Sequence, residues 1–325
     1  MVLFKNKNVL IIGDVMVDSY LFGDVNRISP EAPVPIVDVI VKQEKLGGAA
    51  NVAANIKNLG GTPILCSIIG RDQKADVLLS LLKNMKINTS YIYKSKNRIT
   101  TNKTRIIGNN HQMLRIDDEI KSELGKDQND FILIINKIFE TNKIDCILLQ
   151  DYDKGIINET IISLITIKAQ SLNIPIVVDP KKNNFSHYKN ITLFKPNFKE
   201  FREGLNIKNT NRIEALKNGS KILHKQGVEI VFVTLSENGI FISYKKDKKI
   251  ISKIIPTEHS IDVVDVSGAG DTVASIAAMT INNIDIDDIA KISNIAGGIV
   301  CEEIGVVPIN KKKLLEKLNE SNTKS

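Results

Sequence analysis

Short apolar runs alternate along most of the chain with longer segments of helical periodicity. The runs are rich in Ile and Val and lie at 8–14, 63–69, 145–151, 174–180, 191–197 and 229–235. Each is too short for a helix, and continuous apolar character is typical of parallel strands buried on both faces. Crossover helices are predicted between them at 51–61, 76–86, 129–143 and 160–173. The alternation predicts an α/β fold with a doubly wound sheet.

Two stretches depart from this pattern. Residues 34–43 and 90–117 alternate polar and apolar positions, with a turn signal, GNN, at 108–110. This alternation predicts antiparallel strands with one solvated face, in a small sheet that stands off the main one. Such a sheet serves as a lid or a dimerisation surface, or is an insertion without a function of its own. The tail at 314–325 predicts a short helix with a frayed end, so one domain over 1–325 is expected.

Composition and charge narrow the function classes. The chain has 325 residues with 42% hydrophobic positions, and it has neither a signal-peptide pattern nor a membrane-spanning apolar run, so we expect a cytoplasmic protein. The net charge is +7, but the lysines are scattered and aromatic residues make up 5% with no Trp. We therefore expect neither a nucleic-acid nor a membrane partner. Cys66, Cys146 and Cys301 lack metal-ligand spacing, which favours reduced, packed thiols.

The octapeptide DVSGAGDT at 265–272 places a glycine-rich turn before a predicted helix. Amides at a helix N-terminus attract anions, and Gly268 and Gly270 let a phosphate approach the main chain. Phosphoryl transfer needs such amides, and it needs a group that orients the nucleophile and accepts its proton. Asp271 beside Gly268, Ala269 and Gly270 supplies both. A helix-capping aspartate after a flexible turn is the alternative.

A second glycine motif, LGGAANVAANI, lies at 46–56. Gly47, Gly48 and Asn51 would let sugar hydroxyls contact the backbone and a side-chain amide. Helix–sheet packing also explains the small residues. The spacing is neither that of a phosphate-binding GxxxxGKS/T loop nor that of a GxGxxG dinucleotide site.

Two carboxylates follow the first predicted strand. Asp14 and Asp18 lie in GDVMVD, at the strand edge where open α/β sheets bind ligands. They can hold vicinal hydroxyls of a polyol, or they can cap a turn.

Together, these motifs resemble the ribokinase (PfkB) family of sugar kinases, from the first strand to about residue 308. Further segments are similar to the members that phosphorylate D-glycero-D-manno-heptose 7-phosphate. They are GDVMVDSYLFGDVNRISPEAPVPIVDV (13–39), TTNKTRII (100–107), HQMLRIDDE (111–119), QDYDKG (150–155), VDPK (178–181) and KPNFKE (195–200). The resemblance implies a ribokinase-like αβα sandwich with a mostly parallel sheet. It also implies lid strands from about 15–45 and 88–118, which tend to pair subunits into homodimers.

The resemblance also implies a reaction and its substrates. ATP would phosphorylate the anomeric hydroxyl of the heptose 7-phosphate to give a 1,7-bisphosphate, a precursor of ADP-heptose and the lipopolysaccharide core. The resemblance implies that ATP and Mg²⁺ are needed, and the family's monovalent-cation site implies a role for K⁺. Another family sugar kinase and a non-catalytic sugar-phosphate-binding regulator are the alternatives. A nicotinamide oxidoreductase lacks support because its glycine fingerprint is absent after the first strand.

Residue roles implied by the resemblance follow the matching positions. Asp271 is the expected base, with the amides of Gly268, Ala269 and Gly270 as the anion hole. The expected substrate-binding residues are Asp14, Asp18, Gly47, Gly48, Asn51 and Asp151, with phosphate anchors at Lys103, Arg105, Arg115, Lys154 and Lys181. Each anchor is alternatively a solvated surface charge. The expected nucleotide-binding residues are Asn197, Phe198, Lys199, Glu200, Thr234, Ser236, Gly239 and Asn294. Glu200 would hold Mg²⁺ through water, and Asp265 and Ser267 would hold the monovalent cation.

The sequence also departs from the family pattern at particular positions. Lys195 stands where Thr is usual before Pro-Asn, and Lys182 replaces a common Gly. Ser267 replaces Thr and keeps the hydroxyl. The loop EEIGVVPIN at 302–310 is shorter than usual, which weakens the expectation for the cation site and the adenine contacts.

Overall fold

The computed structural model describes residues 4, 6–208, 211–257 and 262–322. Within these ranges the strands are β1 (Asn8–Gly13), β2 (Val15–Ile28), β3 (Pro35–Gly48), β4 (Thr62–Ile69), β5 (Ile92–Lys94), β6 (Thr101–Gly108), β7 (His111–Asp118), β8 (Cys146–Gln150), β9 (Ile176–Asp179), β10 (Leu193–Phe194), β11 (Ile230–Thr234), β12 (Ile240–Lys246) and β13 (Lys249–Ile255). The helices are α1 (Ala49–Leu59), α2 (Gln73–Asn84), α3 (Gln128–Thr141), α4 (Glu159–Leu172), α5 (Phe198–Gly204), α6 (Arg212–Lys225), α7 (Ala269–Thr280), α8 (Ile286–Cys301) and α9 (Lys311–Asn322).

The strands form two separate sheets. The main sheet has the order β13-β12-β11-β10-β9-β8-β1-β4-β5, and all its pairs are parallel except β11–β12 and β12–β13. A second sheet has the order β3-β2-β6-β7. The predicted α/β sandwich with a mostly parallel sheet and a small extra sheet is therefore confirmed.

Both faces of the main sheet are buried because its strands are apolar at successive positions. In β1, Val9 and Ile11 join a core formed with α1, α7 and α8, whereas Leu10 and Ile12 join a second core formed with α3 and α4. Each fully buried aliphatic side chain of this kind contributes about 1.5–3 kcal/mol to stability. The two cores hold the carboxyl ends of β1, β8 and β9 in fixed register.

The small sheet differs in part from the sequence expectation. Segment 92–94 pairs with β4 in the main sheet, not with the lid strands. β2 pairs with β6 in parallel, because the chain returns through α1, β4, α2 and β5 before β6 begins. The hairpin expected at GNN is confirmed, since Asn109 and Asn110 have φ of 50° and 64°, as a two-residue turn requires.

Two further differences concern the far side of the main sheet. The strand expected at 191–197 is only Leu193–Phe194, since Pro196 has no N–H to extend the ladder. The hairpin of β12 and β13 was not predicted. The tail does contain the expected helix, α9, and its last residues, 323–325, lie outside the described residues.

Candidate active site

The carboxyl ends of three adjacent strands and the start of α7 meet at one place. Asp14 follows β1, Gln150 ends β8, Asp179 ends β9, and Asp271 lies in the first turn of α7. β8 lies between β1 and β9 in the sheet, and the three strands run parallel. Polar side chains distant in sequence are thus brought to one edge, where open α/β sheets bind ligands.

The turn before α7 has the shape that the octapeptide predicted. Gly268 has φ of 81°, a left-handed conformation that favours glycine, and it is the N-cap of the helix. The amide of Ala269 donates to the carbonyl of Val266 at 3.3 Å. Gly270 and Asp271 lie in the first turn, whose amides have no carbonyl of the same helix to bond. A phosphate oxygen can approach Gly270 because that residue is exposed.

Asp271 is buried, with 2% of its surface exposed, and it is surrounded by donors. Its Oδ2 accepts a hydrogen bond from Nδ2 of Asn51 at 2.8 Å. Its Oδ1 accepts from Nε2 of Gln150 at 3.0 Å and from the hydroxyl of Tyr152 at 2.7 Å. Burial raises the pKa of Asp271 to about 6, and the bonds from Asn51 and Tyr152 hold it below what burial alone would give. The carboxyl is therefore ionised near neutral pH, as a general base must be.

A buried ion pair lies beside the same turn. Nζ of Lys195 is 3.0 Å from Oδ2 of Asp179, and only 2% of Lys195 is exposed. A Cβ placed on Gly270 would lie 3.7 Å from that ammonium. The lysine that departs from the family pattern thus sets a positive charge next to the proposed anion hole.

The predicted sugar pocket contains buried acceptors with no partner among the described residues. Asp14 Oδ1, Asn51 Oδ1 and Gln150 Oε1 are buried and accept no hydrogen bond there. The other oxygen of Asp14 accepts from the backbone of Tyr152 at 2.8 Å and of Lys154 at 3.3 Å. Buried polar atoms are normally paired, so these three oxygens suit the hydroxyl donors of a polyol.

Two glycines shape the wall of this pocket. A Cβ on Gly47 would lie 2.1 Å from Oδ2 of Asp18, and one on Gly48 would lie 2.4 Å from the carbonyl of Asp14. Gly48 also has φ of 57°, which favours glycine. Only glycine fits at these positions, so the GG motif is explained by the close approach of Gly47 to the Asp18 carboxylate and of Gly48 to the Asp14 main chain.

The core-facing side of the small sheet carries cations. Arg105 forms a salt bridge with Asp18, and Nζ of Lys103 lies 5.5 Å from the centre of the Tyr152 ring. Burial, and then the nearby charge of Lys154, lowers the pKa of Lys103. Arg115 pairs across the strands with Arg105 and contacts Asp117 at 2.9 Å, with half of its side chain exposed. Cations crowded in this way suit a phosphate dianion, which offsets their repulsion.

The remaining predicted anchors have protein partners. Nζ of Lys154 is 2.7 Å from Oε2 of Glu119, and Lys181 forms a salt bridge with Glu200. Asp151 accepts bonds from Nδ2 of Asn184 at 2.9 Å and from the hydroxyl of Tyr188 at 2.8 Å. Its oxygens are thus engaged by the scaffold in this structure, whereas Lys154 and Lys181 flank the pocket.

A cavity of about 670 Å³ opens on the other side of the α7 turn. This volume is typical of small-molecule sites. Its lining residues include Thr234, Ser236, Gly239, Ile240, Ala269, Gly270, Val273, Asn294, Gly297 and Gly298. Four predicted nucleotide-binding positions are thereby brought together with the glycine turn. Asn294 donates from Nδ2 to the carbonyls of Ile255 and Pro256 at 3.0 and 3.1 Å, which fixes one rim of the cavity.

The NFKE segment begins α5 with a capping box. Asn197 accepts from the amide of Glu200, and Glu200 accepts from the amide of Asn197, both at 2.8 Å. Asn197 also forms a β-bridge with Thr234, at the cavity. Phe198 and Lys199 line a separate surface groove of about 440 Å³ with Arg202 and Lys208. The structure does not bring these two residues to the larger cavity.

The residues present fit Mg²⁺ that is held mainly by nucleotide phosphates. Within the described ranges, no group of three or more His, Cys, Asp or Glu side chains is placed to hold a metal ion. Each oxygen of Glu200 has one protein partner and keeps capacity for a water. Mg²⁺ keeps several waters when bound, so such a carboxylate can reach it through one of them.

Asp265 joins the two loops expected to hold a monovalent cation. Its Oδ1 accepts from the amide of Ser267 and its Oδ2 from the amide of Gly305, both at 2.9 Å. Nearby, Nζ of Lys45 donates to the carbonyl of Ile304 at 2.8 Å. The carboxylate therefore ties the turn before α7 to the loop after α8.

Three residues at the site were not singled out in the sequence as functional: Gln150, Tyr152 and Lys195. The first two lie in QDYDKG, directly after the apolar run of β8, so the rule that ligands bind at strand ends was a usable signal. Lys195 was noted only as a departure from the family pattern. Its burial against Asp179 depends on how β9 and β10 pair, which no local pattern reveals.

Solved structures of sugar kinases share this fold. Phosphofructokinase-2 from Escherichia coli in complex with potassium superposes with a TM-score of 0.80 at 16% identity, covering 98% of this chain and 100% of that one. Ribokinase from Arabidopsis thaliana complexed with ribose and ATP gives a TM-score of 0.73 at 18% identity, covering 97% and 99%. At these identities the likeness is one of fold, and it confirms the ribokinase-like architecture.

Curated relatives are similar in sequence as well. The chain is 37% identical over 311 residues to the bifunctional protein HldE of Methylobacillus flagellatus, which covers 95% of this chain and 63% of the relative. It is 38% identical over 330 residues to the bifunctional protein HldE of Aliarcobacter butzleri, covering 99% and 67%. The chain thus spans 63–67% of the length of these relatives.

The fold and the site define a class of protein. A pocket of buried, unpaired acceptor oxygens and a cavity of about 670 Å³ meet at a glycine turn that carries a buried carboxylate, an arrangement that suits a carbohydrate kinase. The model of the pfkB family of carbohydrate kinases matches residues 6–313, and the chain belongs to that family. The resemblance noted in the sequence is confirmed.

Proposed function

We propose that the protein transfers the γ-phosphoryl group of ATP to the anomeric (C1) hydroxyl of D-glycero-D-manno-heptose 7-phosphate. One observation carries the phosphoryl-transfer part of this proposal. Asp271 lies in the turn that separates the pocket of unpaired acceptors from the 670 Å³ cavity, with Gly270 and Lys195 beside it. The segment at 13–39 and the HldE relatives support a heptose phosphate as the acceptor.

The chemistry follows from these positions. The sugar hydroxyl gives its proton to Asp271 while its oxygen forms a bond to the γ-phosphorus. The bond between that phosphorus and the oxygen bridging to the β-phosphate breaks, and ADP leaves with the electron pair. The amides of the glycine turn and the ammonium of Lys195 face the charge on the equatorial oxygens. Mg²⁺, reached through water by Glu200, supplies further neutralisation when bound.

The sugar is oriented by contacts on both of its ends. Asp14, Asn51 and Gln150 offer the unpaired oxygens to its hydroxyls. Lys103 and Arg105 on the lid strands, with Lys154 and Lys181 on the core, are proposed to hold the 7-phosphate. Most of the rate gain is attributed to holding two anionic substrates in line.

We assign ATP to the 670 Å³ cavity, with Thr234, Ser236, Gly239 and Asn294 around it. The loops joined by Asp265 and Ser267 form the proposed monovalent-cation site. The ammonium of Lys45 already contacts one loop carbonyl there. Three buried cysteines without disulfide bonds suit the reducing cytoplasm, where we place the reaction. Within the described ranges, no helix combines the length and apolar character needed to cross a membrane.

We further propose that the small sheet pairs two subunits. Leu114 and Ile116 are about half exposed on the edge strand β7, and both lie on the face opposite to Arg115. Leu114 pairs across the strands with Ile106 on the same outer face. An apolar outer face beside a cationic inner face is what a lid that also forms a dimer interface requires.

The reaction is tested with purified protein, ATP, Mg²⁺ and a panel of sugars, with phosphorus NMR to locate the new phosphate. The panel contains heptose 7-phosphates of both anomers, the unphosphorylated heptose and hexose 6-phosphates. We expect a product phosphorylated at C1, formed fastest from a heptose 7-phosphate. Equal turnover of the unphosphorylated heptose, or preference for a hexose phosphate, would contradict the proposed substrate.

A further inference from the structure

Tyr152 contacts the proposed base, the sugar pocket and two proposed phosphate anchors. Its hydroxyl donates to Oδ1 of Asp271 at 2.7 Å, and its backbone N–H donates to Oδ2 of Asp14 at 2.8 Å. The centre of its ring lies 5.5 Å from Nζ of Lys103 and 5.3 Å from Nζ of Lys181. One lysine belongs to the lid and the other forms a salt bridge with Glu200. None of the roles assigned above explains this placement.

The two oxygens of Asp271 are not equivalent. A carboxylate oxygen has about two lone-pair positions. Oδ1 accepts two bonds, from Gln150 and Tyr152, whereas Oδ2 accepts one, from Asn51. One lone pair therefore remains on Oδ2. Both lone-pair positions of Oδ1 are filled, so Oδ2 is the oxygen that can still accept a proton.

We infer that Tyr152 is a positioning residue which, with Gln150, occupies Oδ1 of Asp271 and leaves Oδ2 to take the proton of the attacking hydroxyl. The inference rests on the proposed kinase function and adds an atomic assignment to it. The O–H bond of the sugar breaks, its proton passes to Oδ2, and its oxygen attacks the γ-phosphorus. The ring of Tyr152 also contacts both Lys103 and Lys181, so one residue orients the base and packs against two proposed phosphate anchors.

Electrostatics support the geometry. Burial, and then the charge of Asp271, raises the pKa of Tyr152 well above its ordinary value, so the hydroxyl stays protonated and donates. The charged groups that act on Asp271 include Asp179 at the end of β9, Lys195 directly after β10, and Lys181. The bond from Tyr152 lowers the pKa of Asp271, so its removal raises the pH at which the base ionises.

The test is the pH dependence of kcat/KM for the sugar phosphate, measured for wild type and Tyr152→Phe. The phenylalanine keeps the ring beside the two lysines, and it keeps the backbone N–H that donates to Asp14. We therefore expect the ionisation of Asp14, which lies in the same pH range, to stay unchanged. We expect the acid limb to move up by about one pH unit and kcat at pH 8 to fall about tenfold, since bonds to charged groups are the strong ones. The KM for ATP should change less than about twofold, because the hydroxyl lies outside the nucleotide cavity.

Two further variants make the result decisive. Gln150→Met removes the other donor to Oδ1 and should move the limb in the same direction. Tyr93→Phe removes a hydroxyl that donates to Oδ2 of Asp130 at 3.0 Å, far from the site, and should leave the profile unchanged. An unmoved limb in Tyr152→Phe, with or without a loss of thermal stability, overturns the inference. An inactive wild type would instead overturn the proposed function, so the two failures are distinct.

Discussion

Two buried aspartates at the site differ in how their carboxylates are hydrogen-bonded. Asp271 is surrounded by donors that favour its charge, whereas Asp14 keeps one oxygen unpaired among the described residues. Burial, and then the charge of Asp151, raises the pKa of Asp14 to about 7. An ionised carboxylate with an unpaired lone pair is costly to bury, so Asp14 lowers the stability of the unliganded protein. A ligand hydroxyl that donates to this oxygen would remove part of that cost.

The replacement Asp14→Asn tests this cost. The unfolded chain loses the Asp14 proton near pH 4 and the folded chain near pH 7, so the free energy of unfolding falls as pH rises across that window. Asparagine does not ionise, so the variant does not lose stability across this pH window. It should therefore exceed wild type by roughly 2 kcal/mol at pH 8 and match it below about pH 4, as measured by urea denaturation.

The control for net charge is Asp24→Asn, at an exposed carboxyl of the lid. It should not reproduce the gain at pH 8. Asp14→Asn should also raise the KM for the sugar, because a hydroxyl acceptor becomes a donor. A variant less stable than wild type at pH 8 would show that Asp14 is not strained.

The sequence predicted those site residues whose role follows from their position in a short motif. Asp271 follows its glycine turn, and Asn51 follows its glycine pair, so position in a motif was enough. Lys195 acts through Asp179 in β9, and Gln150 acts through Asp271 in α7. Their contacts depend on the pairing of β8, β9 and β10, which is set by packing of the whole sheet.

Hydrogen bonds join strands β2 and β3 of the small sheet to the loop after α8. The hydroxyl of Tyr20 in β2 accepts from the amide of Val306 at 3.1 Å, and Lys45 in β3 donates to the carbonyl of Ile304 at 2.8 Å. Gly305 lies under the Tyr20 ring with φ of 72°. A Cβ there would be 2.7 Å from Cζ of Tyr20. This fastening places Arg105, whose guanidinium lies 5.3 Å from the Tyr20 ring centre, over the sugar pocket.

Gly305→Ala should separate these elements. The added methyl must displace Tyr20, so we expect a loss of about 3–4 kcal/mol in the free energy of unfolding and a higher KM for the sugar phosphate. Gly125→Ala is the matched control, since Gly125 has φ of 54° and no atom within 4 Å of an added Cβ. It should cost only the left-handed strain of about 1–2 kcal/mol. Equal losses in the two variants would show that contact with Tyr20 is unimportant.

Helices and strands could be predicted where one hydrophobic periodicity dominates the segment. Buried strands and amphipathic helices were located to within a few residues because burial imposes its period on the sequence. Segment 92–94 was assigned to the wrong sheet, because its alternation is shared by an edge strand and a lid strand. The parallel pairing of β2 with β6 depends on the path of the chain through the core, which alternation does not encode.

The apolar outer face of the small sheet includes Leu114 and Ile116 of its edge strand β7 and Ile106 of β6. If the lid pairs two subunits, Leu114→Glu combined with Ile116→Glu should yield a monomer in sedimentation velocity, because four buried carboxylates would repel across the interface. Activity should fall as well, since the inner face of the same strands is proposed to hold the sugar phosphate.

Ile167→Glu is the matched control for the dimer. Ile167 is 67% exposed on α4, away from the lid, so the charge should leave the assembly unchanged. A wild type that sediments as a monomer, or a double variant that stays dimeric, would refute this interface.

The central claim for the molecule is that Asp271 takes the proton of the sugar hydroxyl that attacks ATP. The direct measurement is single-turnover phosphoryl transfer by Asp271→Asn, with the Kd for ATP measured on the same preparation. We predict that the rate falls at least about a hundredfold, the range that general-base catalysis supplies, while ATP binding stays within about twofold. A variant that binds ATP and transfers phosphate at nearly the wild-type rate would contradict the account.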